Sequence, residues 1–309
     1  MTTDTPGLTR RAALGAGLAL PFAAALPAQI HAAAPLREPK LQRANRFTRG
    51  AFEFHALQVM SMIRDEPQSI FGLNVSAEEF AEVAAANRIP TDRMGFSFTP
   101  TLVNTGAELV LFDTGLNPGV ITAALAEAGY TPDQVDTVVI THMHADHIGG
   151  LMGEGGPTFA NARYLTGRAE FDFWAAAGNE AFDKNMRPLA EKTTFIEDGG
   201  SAGAGMTAID APGHTAGHMA WMIESEGAPL LLMADTANHH VWSLAHPDWE
   251  VRFDRDKAQA AATRRRLLGM AADDGIPVLG YHMPFPATGF IERRGDGFHW
   301  VPTTYELAL

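Results

Sequence analysis

The chain has 309 residues, 46% of them hydrophobic, enough apolar mass for a sizeable core. A formal net charge of -13 makes a surface that repels phosphate backbones and anionic lipid heads, so the expected partner is a small molecule rather than nucleic acid or a membrane. The absence of cysteine excludes disulfides, thiolate nucleophiles and cysteine-ligated zinc, so any metal must be held by histidine and carboxylate.

The N-terminal stretch "LTRRAALGAGLALPFAAALPAQIHAAAP" pairs Arg10 with Arg11, continues as an Ala/Leu/Gly run and ends in small residues near Ala34. That order predicts a signal peptide of twin-arginine type over residues 1–34, with export to the periplasm or beyond. Cleavage after Ala34 or after Ala28 both suit the small residues. The apolar run is shorter than the roughly 20 residues a membrane-spanning helix needs, and without cysteine the mature start has no lipid anchor. The remaining 35–309 read as one α/β domain, with no fixed-period repeat and no linker rich in Pro, Gly or Ser.

Along the domain, "FEFHALQVMSM" (52–62) alternates like one half-buried strand, and 76–88 predicts a helix with Ser76 as N-cap and Glu79 three residues on. "FSFTPTLVNTG" and "ELVLFDTG" read as strands, the second closing on the Asp113-Thr114-Gly115 turn. A helix is expected at about 120–128, then the strand "VDTVVIT". Further strands are expected at 162–167, 206–213, 218–225, 229–235 and 276–282. A helix is expected at 255–275, stopped by Gly275.

The segment "THMHADHIGG" crowds three histidines and an aspartate directly after an apolar strand. Charged groups cannot sit unpaired in a core, so the strand stops there. His142 and His144, two apart in extended chain, share a side, while Asp146 and His147 come round the next turn towards a second point. One segment can thus serve two cations, and more ligands are needed at other strand ends. His214 in "APGHTAGH", Asp235 at the end of "PLLLMAD" and His282 at the end of "IPVLGYH" are the candidates.

With these motifs in place, the chain resembles the metallo-β-lactamase-fold hydrolases. The resemblance implies an αββα sandwich with the site along one edge of the two sheets. It implies one metal on His142, His144 and His214 and another on Asp146, His147 and His282, with Asp235 between them. Two divalent ions are expected, zinc by default, with Mn, Fe or Co suited to the same ligands. A water activated between them would attack an ester or lactone carbonyl or a phosphotriester, with Asp146 and Asp235 as the catalytic carboxylates. The tail "GYHMPFPATGFIERRGDGFHWVPTTYE" resembles methyl parathion hydrolase and its lactonase and arylesterase relatives. That resemblance makes Phe171, Phe173 and Trp174 of "RAEFDFW" pocket candidates and implies a homodimer, formed through the segment around residues 71–90.

Other members of the fold fit less well. Cysteine-using β-lactamases are excluded by composition, the all-histidine type lacks the carboxylate at Asp235, and flavodiiron proteins carry Glu where this chain has His144. Nucleases share the ligands but not the acidic surface. A glyoxalase-type thioesterase has the same ligand set and differs at the tail. A non-catalytic metal-binding protein of the exterior is a further alternative, disfavoured because seven ligands around two metals leave positions open for water. His218 is expected to hydrogen-bond within its turn, and His239 and His240 to lie outside the ligand set or exposed. His31, His55, His246 and His299 have no motif around them.

Overall fold

The structure, a computed structural model, describes residues 43–303, so the predicted signal segment and His31 lie outside the described residues. The strands in chain order are β1 (Ala44–Arg49), β2 (Phe52–Leu57), β3 (Met60–Asp65), β4 (Arg93–Phe98), β5 (Thr101–Asn104), β6 (Leu109–Phe112), β7 (Thr137–Ile140), β8 (Met152–Gly153), β9 (Gly156–Pro157), β10 (Arg163–Gly167), β11 (Thr193–Ile196), β12 (Ser201–Gly203), β13 (Met206–Asp210), β14 (Met219–Ser225), β15 (Ala228–Ala234), β16 (Val278–Gly280), β17 (Thr288–Arg294) and β18 (Gly297–Pro302). The α-helices are α1 (Ala77–Ala86), α2 (Pro118–Glu127), α3 (Ala145–Ile148), α4 (Arg168–Ala177), α5 (Glu180–Asn185), α6 (Trp242–Ala245) and α7 (Lys257–Asp274).

Two seven-stranded sheets carry the fold, ordered β1-β2-β5-β6-β7-β10-β11 and β12-β13-β14-β15-β16-β17-β18, with β3-β4 and β8-β9 as separate hairpins. At the centre of the first sheet β7 runs parallel to both β6 and β10. A strand covered on both faces must be apolar throughout, and Val138, Val139 and Ile140 have no exposed surface. Val139 faces the second sheet with Val110 and Phe112, where the Phe112 and Trp221 rings meet at 5.5 Å. Val138 and Ile140 face the other way, onto Ile121 and Leu125 of α2 and Phe182 of α5. Leu267, Leu268 and Ala271 of α7 pack into the core of the second sheet, which completes the helix–sheet–sheet–helix layering. Each such large apolar side chain contributes about 1.5–3 kcal/mol on burial.

The predicted helices form with the expected ends. Ser76 Oγ accepts the Glu79 N–H at 3.1 Å, Asn117 caps α2, and α7 runs from its Asp256 cap to Gly275 in the left-handed conformation at φ 62°. Two expected strands each split in two. The 52–62 run divides at Gln58-Val59 into β2 of the first sheet and β3 of the hairpin. "FSFTPTLVNTG" divides at Thr99-Pro100 into β4 and β5. Pro100 has no N–H to continue a ladder, and its carbonyl instead accepts from Leu57 N at 2.8 Å, so both breaks fall at the same corner. The divided strands lift the β3-β4 hairpin out of the sandwich. "RAEFDFW" forms helix α4.

The rims of the two sheets join beside the motif. Met219 N, at the start of β14, donates to the Thr141 carbonyl at 3.0 Å, just past β7. The Gly149-Gly150 pair permits close approach of the motif to the preceding turn: a Cβ on either would lie 2.2 Å from a backbone oxygen, that of Leu116 or of Thr114.

Candidate metal centre and adjoining cavity

The chain ends of four strands converge on one point. After β7 come His142, His144, Asp146 and His147; after β13, His214; after β15, Asp235; after β16, His282. The candidate ligating atoms form two groups, His142, His144, His214 and Asp235 in one and Asp146, His147 and His282 in the other, with the atoms of each group within 4.8 Å of one another. In the first, His144 Nδ1 faces His142 Nε2 at 3.0 Å and His214 Nε2 at 3.1 Å. In the second, Asp146 Oδ2 lies 3.7 Å from His147 Nε2 and 3.5 Å from His282 Nε2.

Asp235 reaches both groups. Its Oδ2 is 3.3 Å from His214 Nε2 and 3.2 Å from His282 Nε2, and its Oδ1 is 3.5 Å from His147 Nε2. All seven sequence candidates are therefore brought together. His147 Nε2 and Asp235 Oδ1 are buried with no hydrogen-bond partner, an arrangement that is costly unless something else satisfies them. Imidazole nitrogens and carboxylate oxygens in two groups, with orphaned donor atoms aimed between them, fit a pair of divalent cations.

A second ring of contacts fixes the imidazoles of His147, His214 and His282. His147 Nδ1 meets Asp113 Oδ2 at 2.9 Å, and Asp113 also accepts from Thr141 N and Thr141 Oγ1. His214 Nδ1 meets Asp254 Oδ1 at 2.9 Å, and Asp254 Oδ2 accepts from the buried Arg264 guanidinium at 2.7 Å. His282 Nδ1 donates to the Ser97 carbonyl at 2.8 Å, and its ring stacks on Phe96 at 4.2 Å. Such partners select the tautomer that leaves the other ring nitrogen free for a metal. The Tyr281 ring stacks on His147 at 3.8 Å, and its hydroxyl donates to the Asp146 carbonyl.

Burial, reinforced by the neighbouring His147 and His214 respectively, holds His142 and His144 well below the ordinary histidine range, so both are neutral. Burial also pushes His147 and His214 down, but their carboxylates outweigh it. Asp113, Asp235 and Asp146 raise His147 well above its ordinary value, and Asp235 with Asp254 raise His214 to about 9. Burial pushes Asp235 up, and the histidines around it, His282 first, more than offset that and hold it well below the carboxylate range.

His218 is buried, and its bonds extend beyond its turn. Nδ1 donates to the Ala211 carbonyl at 3.0 Å, and Nε2 accepts the Asp235 N–H at 3.1 Å, so it holds the backbone of Asp235. Both nitrogens are used, and burial keeps the ring neutral, down at about 3. His55 pairs with Glu53, His246 stacks on Trp249, and His299 meets Arg294, all away from the centre.

The three aromatic pocket candidates separate. Phe171 is a core residue, its ring 5.2 Å from Phe182 and 4.8 Å from Phe195, because helix α4 turns that face onto the first sheet; its pocket assignment is corrected. Phe173 lies under the Arg255 guanidinium at 4.2 Å. Trp174 alone approaches the ligands, edge-on to His144 at 5.7 Å.

Sequence reasoning missed Glu170, one turn before Trp174. It is fully buried and accepts four hydrogen bonds, from Met143 N (3.0 Å), Trp174 Nε1 (2.6 Å), Thr215 Oγ1 (2.8 Å) and Gly217 N (2.8 Å). One carboxylate thus ties the residue between His142 and His144 to the turn that carries His214. A lone acid on an apolar helix face was the available signal. Asp113 was visible as part of a turn and Tyr281 beside His282 in the quoted tail, whereas Asp254 stands in no motif.

A cavity of about 480 Å³ opens beside the second ligand group. His282 forms part of its wall, with Met94 and Ser97 of the lifted hairpin, His239, Trp242 and Phe285. Ile63 lines its edge and is 68% exposed. None of Phe171, Phe173 and Trp174 lines it. His239 and His240, expected outside the ligand set or exposed, both line it; His239 is buried and His240 half-buried.

Comparison with known proteins places this geometry. The family model described as "Metallo-beta-lactamase superfamily" matches residues 99–277. A lactamase-like protein, vrtG, of Penicillium aethiopicum is 28% identical over 182 residues, covering 58% of this chain and 50% of that protein. An N-acyl homoserine lactonase of a Bacillus species is 30% identical over 118 residues, covering 38% of this chain and 44% of that protein. The chain thus spans about half the length of these curated relatives. Among solved structures, AidC, described as a dizinc quorum-quenching lactonase in complex with a product, superposes with a TM-score of 0.77 at 25% identity, covering 84% of this chain and 97% of that one.

Proposed function

Since the chain belongs to the metallo-β-lactamase superfamily, we propose that it is a dinuclear metal hydrolase that opens lactones and cleaves esters, with phosphotriesters as a further substrate class. The observation that carries this reading is the convergence of seven ligating residues in two groups beside an open cavity walled partly by His282. The lactonase relatives and the resemblance of the tail from Gly280 to the methyl parathion hydrolase group support it.

His142, His144 and His214 would hold one ion, Asp146, His147 and His282 the other, and Asp235 would reach both; zinc is the proposed metal. When bound, the ions supply Lewis acidity and an activated water. The chain's own residues do the rest. Asp113 and Asp254 hold the His147 and His214 rings in one tautomer. Asp235, only 3% exposed, orients the attacking water at its carboxylate oxygens. The Asp146 side chain is 22% exposed, so its carboxylate oxygen that does not face His147 and His282 would take the proton released by the attacking water and pass it to the departing alkoxide. Trp174 covers His144. We further propose export through the Arg10-Arg11 segment, which cell fractionation would test, and a homodimer, which sedimentation would test.

The decisive experiment is elemental analysis together with a hydrolysis panel of phenyl acetate, an N-acyl homoserine lactone, a dialkyl aryl phosphate, a thioester and a β-lactam. Two metals per chain with lactone or ester turnover are expected. Turnover of the thioester alone would favour the glyoxalase-type reading, and two metals with no hydrolysis would leave a metal-binding protein.

A further inference from the structure

The cavity beside the metal centre contains one polar group whose chemistry is fixed by the backbone around it. His239 Nδ1 accepts hydrogen bonds from Val241 N at 3.1 Å and Trp242 N at 3.2 Å. A nitrogen that accepts two N–H groups carries no proton, so the proton sits on Nε2. The ring stacks on Trp242, centroids 4.1 Å apart, and lies tilted against His240 at 4.4 Å, contacts that with the two N–H bonds hold its orientation. Burial, followed by the neighbouring His240, holds it well below the ordinary histidine range, so it is neutral at physiological pH. Its Nε2 hydrogen has no partner among the described residues, nor is that atom among the sealed polar atoms that lack one, so it opens on the cavity that His239 lines.

The remaining polar lining agrees in sign. The Gln58 amide donates to Ser97 Oγ. The Arg93 guanidinium, at the exposed rim, has no hydrogen bond or ion pair among the described residues. No aspartate or glutamate lines the cavity, although the chain is strongly acidic overall. A pocket of apolar walls with unpaired donors and no carboxylate suits an apolar arm that carries an oxygen acceptor.

We propose that His239 is a specificity-determining residue whose Nε2–H donates a hydrogen bond to a carbonyl oxygen in the non-reacting arm of the substrate, so that the enzyme prefers lactones bearing an acylamino arm over lactones with a plain alkyl arm. The inference rests on the lactonase reading above. A buried donor left unpaired by an apolar analogue discriminates strongly, whereas chain length alone discriminates weakly.

The test compares N-hexanoyl homoserine lactone with γ-decalactone, which has an apolar arm and no second carbonyl. Wild type should favour the acylamino lactone in kcat/KM. His239→Phe keeps a flat ring on Trp242 but has no donor, and it should cut that preference by about tenfold, mainly through KM. His239→Gln places an amide N–H near the lost one and should recover part of it. Binding of ring-opened N-hexanoyl homoserine by calorimetry, which needs no turnover, should weaken by the same factor in His239→Phe. Metal content and melting temperature identify any variant that has lost the fold, for which His239→Gln is then the variant that decides. Equal losses on both lactones, or an unchanged preference, would overturn the role of His239 while leaving the hydrolase reading intact. Absence of turnover and of product binding in wild type would sink that reading and this one together.

Discussion

Glu170 and Met143 are joined by a 3.0 Å hydrogen bond from the Met143 amide to the Glu170 carboxylate, deep in the protein, and Met143 is the residue between His142 and His144. The other carboxylate oxygen of Glu170 takes Thr215 and Gly217, just past His214. The three histidines of one ligand group are therefore set at their mutual distances by a residue that does not belong to the group. Glu170→Ala strands four donors, of which the buried Met143 N and Thr215 Oγ1 each cost about 1–3 kcal/mol if unsatisfied, and should weaken metal binding there roughly 10–100-fold. Glu170→Gln offers its amide oxygen to Met143 and Trp174 but turns N–H groups towards Gly217, so it should fall between. Chelator competition on the two variants checks this, with loss of one metal equivalent before the other as the expected signature.

Asp235 touches both ligand groups, and His218 bonds Asp235 through its backbone N–H alone. Asp235→Ala should lose both metals and all hydrolytic activity. His218→Ala leaves the Asp235 N–H without an acceptor, at about 1–3 kcal/mol of stability, yet should keep two metals per chain. Elemental analysis after gel filtration separates these outcomes, and loss of a metal in His218→Ala would contradict the expectation that Asp235 keeps its place without that bond.

Metal uptake should depend on pH with a sign set by His214. In the metal-free protein its pKa is raised to about 9, so at neutral pH the ring carries a proton that a cation must displace. His147, raised in the same direction by Asp113, Asp235 and Asp146 despite its burial, adds to the effect. Apparent affinity should therefore rise between about pH 6.5 and 8.5, by about tenfold per pH unit for each proton released, and the His214 contribution should level off above about pH 9. Calorimetry in buffers of different ionisation enthalpy counts the protons directly, and uptake without proton release would contradict the expected ionisation.

Behind His214, Arg264 is 1% exposed and donates to Asp254, to the Thr236 carbonyl and to the Pro247 carbonyl. Arg264→Ala leaves the buried Asp254 carboxylate with His214 as its remaining partner and two carbonyls without their donor, and should destabilise the fold by about 3 kcal/mol, read as a shift of the urea midpoint. Arg264→Lys cannot reproduce the fork of donors and should recover little.

What the sequence determined by itself was local. Apolar runs that end in His, Asp or Gly marked the strand ends, and the spacing in "THMHADHIGG" directed its side chains to two points, because strand and turn geometry act over a few residues. The resemblance of those motifs to a known fold supplied the layering and the grouping of ligands. The tertiary structure decided which groups support the ligands and where the cavity lies. Asp254 reaches His214 across 40 residues of chain and Glu170 reaches Thr215 across 45, distances over which side-chain spacing carries no signal. The same limit explains the aromatic residues of α4: whether a helix face meets a core or a pocket depends on what packs against it, and the first sheet takes Phe171 while the cavity forms under the β3-β4 hairpin. That hairpin exists because two strands break at one corner around Pro100, a pairing that only the folded chain brings about.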